Sequence, residues 1–322
     1  MRKVVAIFLG LIFIVGIQSI GFPADFPTRP IRDIVPFAPG GTMDLMARLL
    51  SKPLEKELGT RILIEHIPGG LTKLATMECM NAKPDGYTIM QATELTWVSG
   101  YYSKVFDSKV WEKMTPIVNI ATQPHGLWAV RADSPYKTLA DLIKAAKEKP
   151  GAMTIGISSS GVFDVIVNTA EKATGIKLKH VPFTGAGPVE TALLGGHIDI
   201  RFCTAGEAIT MIRAGKVRGI ANQTQQRDPG LPDVPTFKEL GYDVMTLTAT
   251  RSLWGPPKMP KNIVDIYVKA IRKATKDPEF VKTVQETFLN HVNFWTGQEM
   301  LQKGVLTLEK QLAQPLTEFF RK

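Results

Sequence analysis

Stretches typical of buried strands alternate with stretches typical of helices along most of this chain, and this alternation restricts the fold more than any other feature. In the first unit an apolar run at 31–37 meets a Pro-Gly-Gly turn at 39–41, and apolar residues then recur at helical spacing over 43–58. Two further strands are predicted at 61–65 and within 83–92. Strand–helix alternation is typical of a parallel sheet covered by helices, so the predicted fold class is α/β.

The alternation resumes after residue 150, and two long extended segments separate its blocks. These segments, 117–130 and 246–254, are mostly apolar and long enough to cross between two lobes. About 300 residues suit two α/β lobes with a large core. We therefore predict a first lobe from residues 25–126, a second lobe from 127–244, and a return to the first lobe over 245–322.

The N-terminus has the order of a secretory signal. Arg2-Lys3 precedes the apolar run Val4–Ile17. This run is shorter than a membrane-spanning helix, which needs about 20 apolar residues. The sequence predicts a signal peptide over residues 1–24, with cleavage after Gly21 or Ala24 left open. An uncleaved anchor is the alternative.

The net charge is +9, and removal of Arg2 and Lys3 with the signal leaves +7. A mild positive charge attracts small anions through long-range steering. The basic residues are spread along the chain without dense blocks, so nucleic-acid binding is not expected. Only two cysteines are present, Cys79 and Cys203, and whether they pair is left open.

Enzyme motifs find little support in the sequence. The loop 156–161 differs from a nucleophile elbow because Ser160 stands where the second glycine belongs. None of the five histidines lies three or four residues from another, so no helical metal pair is present. We expect neither a metal nor a cofactor. A secreted hydrolase that uses Ser158, Ser159 or Ser160 remains an alternative, because catalytic triads are assembled in space.

Three polar, glycine-containing loops each join a strand to a helix, at 39–44, 158–161 and 184–187. Backbone N–H groups at a helix start bind anions, and Gly40 and Gly41 let the main chain approach a ligand closely. A single Gly-Gly turn is more often just a turn. Ligands of parallel sheets gather at the carboxyl ends of the strands, however, so three such loops can converge on one cleft.

Six motifs in order resemble one receptor family: RPIRDIVPFAPGGTMDLMARLL, KPDGYTIM, GISSSG, HVPFTGAGPVETALLGGHIDIRF, GKVRGIA and LPDVP. They resemble the Bug-type extracytoplasmic solute receptors of tripartite tricarboxylate transporters. The resemblance implies a type II periplasmic-binding-protein fold, with two α/β lobes joined by two crossing segments and a ligand cleft between them.

The resemblance also implies a function. A monomeric periplasmic receptor would deliver a small mono-, di- or tricarboxylate or aromatic acid to a membrane permease, and would hold one carboxylate with backbone amides, hydroxyls and water. Presentation of the ligand to a sensor kinase is the alternative. The ligand-binding residues predicted here are Pro39, Gly40, Gly41, Thr42, Met43, Asp44, Thr93, Ser158, Ser159, Ser160, Gly161, Thr184, Gly185, Ala186, Thr204 and Arg251.

Two arginines depart from the family pattern and are the candidates for specificity. Arg201 and Arg251 can each pair with a second carboxylate of the ligand, or form a structural ion pair. The structural role is favoured for Arg201, and both roles stay open for Arg251. Asp44 lies where it can pair with Arg48 at i,i+4, which favours a structural role for it. The aromatic residues that can stack on a ligand or pack in the core are Trp97, Phe183 and Trp254.

Overall fold

The computed structural model describes residues 26–158, 161–288 and 292–321. The predicted signal peptide, residues 1–24, lies outside them. The first lobe begins with three strand–helix units: β1 (Ile31–Val35), α1 (Thr42–Leu58), β2 (Ile62–His66), α2 (Lys73–Asn81), β3 (Thr88–Ala92) and α3 (Glu94–Tyr102). The long strand β4 (Thr115–Arg131) then leads to the second lobe.

The second lobe contains β5 to β8 and α4 to α7, and the chain then returns along β9 (Leu247–Gly255). Its elements are α4 (Leu139–Glu148), β5 (Thr154–Ile157), α5 (Val162–Thr174), β6 (Lys179–Pro182), α6 (Ala186–Leu194), β7 (Ile200–Thr204), α7 (Ala205–Arg213) and β8 (Val217–Asn222). The C-terminal part comprises α8 (Lys261–Ala274), α9 (Pro278–Phe288), β10 (Val292–Thr296), α10 (Gly297–Met300), a π-helical segment (Leu301–Leu306) and α11 (Thr307–Phe320).

One sheet runs through both lobes in the order β2-β1-β3-β9-β4-β7-β5-β6, and β8 and β10 also pair with β4. Parallel pairing occurs within each lobe, between β1 and its neighbours β2 and β3 and between β5 and its neighbours β6 and β7. Strands β4 and β9 run antiparallel to each other from Thr115 to His125. They are the two crossing segments that the sequence predicts.

Each lobe buries the apolar face of its helices against this sheet. In the first lobe α1 places Met46, Leu50 and Leu54 in a cluster with Tyr267 and Ile271 of α8. A fully buried side chain of this size contributes about 1.5–3 kcal/mol. The packing therefore holds α1 firmly, and with it the glycine turn that precedes α1.

Several elements differ from the prediction. Helix α3 is missing from it because seven consecutive residues, Glu94–Gly100, are buried, so no polar face reveals the helical period. Helix α6 begins at Ala186, inside the segment predicted as a loop, because Gly185-Ala186-Gly187 reads as a turn. Cys79 and Cys203 are both buried and free. In the described part of the chain, no helix combines the length and apolarity that a bilayer crossing requires.

Candidate functional site

Two of the predicted loops touch directly between the lobes. The Ala38 N–H donates to the Thr184 carbonyl oxygen at 3.2 Å. A Cβ atom on Gly187 would overlap the Pro39 carbonyl oxygen, so glycine allows the two main chains to meet here. Gly40 adopts φ +92°, which favours glycine. The lobes are therefore in contact at the edge of the cleft.

A cavity lies behind this contact, where α1, α5 and α6 begin. Its empty volume is about 400 Å³, including the part that is open to solvent. Twelve residues from both lobes and from both crossing strands line it: Phe37, Gly41, Thr42, Met43, Thr93, His125, Ser158, Phe163, Ala186, Glu207, Ala249 and Arg251.

Many of the predicted ligand-binding residues are brought together at this cavity. Those in its lining are Gly41, Thr42, Met43, Thr93, Ser158, Ala186 and Arg251. Those described but outside the lining are Pro39, Gly40, Asp44, Gly161, Thr184, Gly185 and Thr204. Ser159 and Ser160 lie outside the described residues.

Three of the residues outside the lining have structural partners. Asp44 accepts hydrogen bonds from Gly40 N at 3.0 Å and from Arg48 Nε at 2.8 Å, which confirms the predicted pair with Arg48. The Thr204 side chain caps α7 by accepting from Glu207 N at 3.2 Å. The Gly161 N–H donates to Asp164 at 2.7 Å.

Three helices direct their N-termini to this region. Helices α1, α5 and α6 follow Gly41, Gly161 and Gly185, which have no side chain to cap them. The N-terminus of a helix carries unpaired N–H groups and about half a positive elementary charge. The arrangement is therefore suited to an anion.

Arg251 on β9 is the cation of the cavity, with 3% of its surface exposed. Its Nη1 donates to the Thr250 carbonyl at 2.9 Å, and its Nη2 donates to Thr42 Oγ1 at 2.9 Å and to Gln123 Oε1 at 3.1 Å. Its Nε has no partner among the described residues. Burial lowers the pKa of Arg251 to about 10, although Glu207 and Glu94 act in the opposite direction, so it stays charged at neutral pH.

Glu207 on α7 is the anion of the cavity. Its Oε1 accepts from Thr42 Oγ1 at 3.3 Å, and its Oε2 accepts from Thr204 N at 3.2 Å. Burial favours a higher pKa for this carboxyl, but nearby His125, Arg201 and Arg251 outweigh burial and lower the pKa below its ordinary value. Glu207 is therefore ionised at neutral pH.

His125 lies in the middle of β4, and its ring stacks on Phe163 with the centroids 4.2 Å apart. It is 3% exposed, and neither ring nitrogen has a partner among the described residues. Burial lowers the pKa of His125 to about 4, against the opposing influence of Glu207. At neutral pH the imidazole is uncharged and offers one donor and one acceptor.

Buried polar atoms without a partner among the described residues thus occur on three residues of the lining, as they also do elsewhere in the protein. Thr93 Oγ1 is a third case, since it has no described partner and Thr93 is 5% exposed. Buried polar groups nearly always have a hydrogen-bond partner, and leaving one without costs about 1–3 kcal/mol. Three such side chains on one cavity offer hydrogen-bonding groups to a polar ligand.

The sequence interpretation missed five residues of the lining: Phe37, His125, Phe163, Glu207 and Ala249. A signal existed for Glu207, because Thr204 and Glu207 have the spacing of a capping box, which is present in the structure. His125 is a polar residue within a mostly apolar crossing segment, and that is its only signal.

The remaining candidates for ligand contact, Arg201 and three aromatic residues, lie outside the cavity lining. Arg201 is 1% exposed, and its Nη1 pairs with Glu190 at 2.5 Å outside the cavity lining. Trp97 and Trp254 are fully buried and meet edge to face with their centroids 4.9 Å apart. Phe183 lines a neighbouring pocket, which shares Phe37 and Ser158 with the cavity. Among the residues described, no cluster of His, Cys, Asp and Glu suitable for a metal ion is found.

Comparison with known proteins identifies the family. Residues 46–311 match the family model described as the tripartite tricarboxylate transporter family receptor. The chain belongs to this family. Receptors of the family are periplasmic solute-binding proteins with two lobes.

Individual relatives extend the match over most of the chain. A UPF0065 protein from the TAR-I ttuE-ttuC' intergenic region of Agrobacterium vitis is 32% identical over 260 residues, which cover 80% of this chain and 74% of that protein. A solved periplasmic transporter is 28% identical with a TM-score of 0.80 and covers 92% of this chain and 98% of its own. MatC from Rhodopseudomonas palustris, solved with bound malate, is 25% identical with a TM-score of 0.76, and the match covers 92% of this chain and 98% of MatC.

Proposed function

We propose that this protein is a periplasmic receptor that captures a small organic carboxylate between its lobes and delivers it to a membrane permease of the tripartite tricarboxylate type. The observation that carries the proposal is the set of buried polar atoms of Thr93, His125 and Arg251 around one cavity that have no partner in the described part of the chain. The malate bound to the related MatC supports a carboxylate as the ligand.

In this proposal the ligand carboxylate lies among the N–H groups that begin α1, α5 and α6. The Arg251 Nε, the Thr93 hydroxyl and the His125 imidazole hold the remainder of the molecule. A ligand that contacts both lobes stabilises the closed form over the open form. The first lobe comprises residues 25–126 and 245–322, and the second comprises residues 127–244. The two lobes then move relative to each other by bending of β4 and β9.

We also propose that the chain is exported and that it catalyses no reaction on its ligand. The predicted signal peptide, residues 1–24, would send the chain to the periplasm. The family is one of receptors rather than enzymes, which supports binding without turnover. Ser158 and His125 line the same cavity, but neither His125 nitrogen bonds to a described serine. The described residues therefore give the hydrolase alternative no serine–histidine pair at this cavity.

Titration calorimetry of residues 25–322 against mono-, di- and tricarboxylates and aromatic acids tests the proposal. We expect one acid to bind with one-to-one stoichiometry and to be recovered unchanged by chromatography. Turnover that disappears in Ser158→Ala would establish a hydrolase instead. Deletion of the gene should abolish uptake of the bound acid, whereas loss of a transcriptional response with normal uptake would support the sensor-kinase alternative.

A further inference from the structure

The charged side chains of the cavity balance each other. Arg251 and Glu207 both line it, and the Thr42 hydroxyl lies between them, accepting from Arg251 and donating to Glu207. His125 adds no charge, since burial keeps it neutral at neutral pH. The favourable potential for an anion therefore comes from the helix N-termini, above all that of α6, because Asp44 and Asp164 carry negative charge in the first turns of α1 and α5. Arg251 is not a free counterion for a second negative group.

The Glu207 carboxylate has acceptor capacity to spare. An ionised carboxylate offers about four lone-pair positions. The described hydrogen bonds to its oxygens are two, at 3.2 and 3.3 Å, and Arg201 Nη2 lies farther away at 3.8 Å. The side chain is 7% exposed, so it has little contact with bulk water. A ligand in the cavity meets an anionic acceptor at this position.

We infer that Glu207 selects a ligand that carries an N–H donor in addition to its carboxylate, such as an amino acid or an acid amide, and disfavours a second carboxylate. The inference rests on the proposed function and narrows its ligand class. An ammonium or amide N–H gives Glu207 the donor that it lacks, with a charge-assisted hydrogen bond. A second carboxylate instead places like charges together in a poorly solvated site, which is how a binding site rejects a competing ligand.

A matched set of three-carbon acids tests this on the unaltered protein. Propionate, β-alanine, malonamate and malonate differ only in the group at the far carbon, and alanine places the ammonium on the adjacent carbon. We expect the best nitrogen-bearing acid to bind at least about tenfold more tightly than propionate and malonate, the effect of one hydrogen bond to a charged group. Malonate equal to or tighter than every nitrogen-bearing acid would overturn the inference but leave the receptor function standing.

The variant Glu207→Gln assigns the preference to this side chain. Glutamine keeps the capping geometry at the start of α7, so folding should be preserved. We expect the preference for the nitrogen-bearing acid over malonate to fall by about tenfold or more. The control is Glu65→Gln, which changes a carboxylate on β2 that pairs with Arg32 outside the cavity lining and should leave the preference intact.

Equal weakening of all the acids in Glu207→Gln, or the same change of preference in Glu65→Gln, would contradict the assignment. If only larger acids bind, the same comparison applies to their own amino, amide and dicarboxylate analogues. If no acid of any class binds, the proposed function itself fails.

Discussion

The Thr42 hydroxyl donates to Glu207 Oε1 at 3.3 Å and so joins the first turn of α1 in one lobe to the first turn of α7 in the other. The same hydroxyl accepts from Arg251 Nη2 at 2.9 Å, which adds the crossing strand β9 to the contact. One side chain therefore connects both lobes and one of the strands between them. Most of the described hydrogen bonds lie within one lobe, whereas this pair depends on the position of one lobe relative to the other.

Thr42→Val is expected to weaken ligand binding more than folding. Valine has the shape of threonine but no hydroxyl, so both contacts to Arg251 and Glu207 are lost while α1 stays packed. The closed form should lose about 1–2 kcal/mol, which weakens affinity by about tenfold. Calorimetry measures the affinity, and thermal unfolding without ligand measures the stability. Thr191→Val is the control, because the Thr191 hydroxyl bonds only within α6 among the described contacts; equal effects in both variants would contradict the account.

Gly187→Ala should impede closure of the cleft. The new Cβ would overlap the Pro39 carbonyl oxygen of the other lobe, a backbone atom that cannot rotate away. The lobes must then stay farther apart, so we expect weaker ligand binding and a larger radius of gyration in X-ray scattering. In Gly304→Ala the added Cβ meets only ordinary contact with Thr250, so that variant serves as the control. Unchanged affinity in Gly187→Ala would show that this close approach is not part of the binding-competent form.

His125→Phe separates the role of the imidazole in binding from its effect on stability. Phenylalanine preserves stacking on Phe163 but removes both ring nitrogens, so the affinity for the ligand should fall by about tenfold. The pKa of His125 is about 4 in the folded protein, below the ordinary value of 6.5. As the pH falls from 6.5 to 4, the unfolded chain takes up a proton that the folded protein does not, and stability decreases. Urea unfolding at pH 7 and pH 5 should show a smaller loss in the variant; the same loss in both proteins would contradict this.

Asp33→Asn should remove part of the loss of folding stability that we expect between pH 4 and pH 8. Asp33 is buried beside Gln91, whose Nε2 donates to Asp33 Oδ2 at 2.8 Å. Burial raises the pKa of Asp33 to about 7, and the hydrogen bond from Gln91 opposes this only in part. Stability from this group is full below pH 3.8 and is lost as the pH rises through 7, because the unfolded carboxyl ionises first.

Asparagine at position 33 mimics the protonated carboxyl, and its amide N–H can donate to Gln91 Oε1, which lacks a donor among the described contacts. We therefore expect Asp33→Asn to be more stable than the parent at pH 8 and about equal at pH 4. A parent-like decline in stability from pH 4 to pH 8 in the variant would contradict the raised pKa.

The sequence predicted the two-lobe fold class because the order of its strands and helices rests on local patterns. The strand–turn–helix unit from Ile31 to Leu58 and the crossing strands β4 and β9 carry periodicity that short windows reveal. Helix α3 shows the limit, since a segment buried on all sides has no polar face. Burial of that kind depends on the helices that cover it, and they come from distant parts of the chain.

The predicted ligand-binding residues include the part of the cavity lining that depends on backbone, and they omit the part that depends on tertiary contacts. Gly41, Thr42 and Ala186 were found because glycine turns before helices are visible in the sequence. Glu207 and His125 were missed because their role follows from lobe closure, which brings together residues more than 80 positions apart. No local pattern distinguishes a buried histidine of a strand from one that faces a cavity.

A crystal structure of residues 25–322 with the tightest-binding acid tests the central claim most directly. The account predicts that the acid lies between the lobes, with its carboxylate at the N-termini of α1 and α6 and with contacts to Arg251 Nε and His125. An acid bound elsewhere on the protein, or a cavity that holds only water when the protein is saturated with the acid, would contradict it.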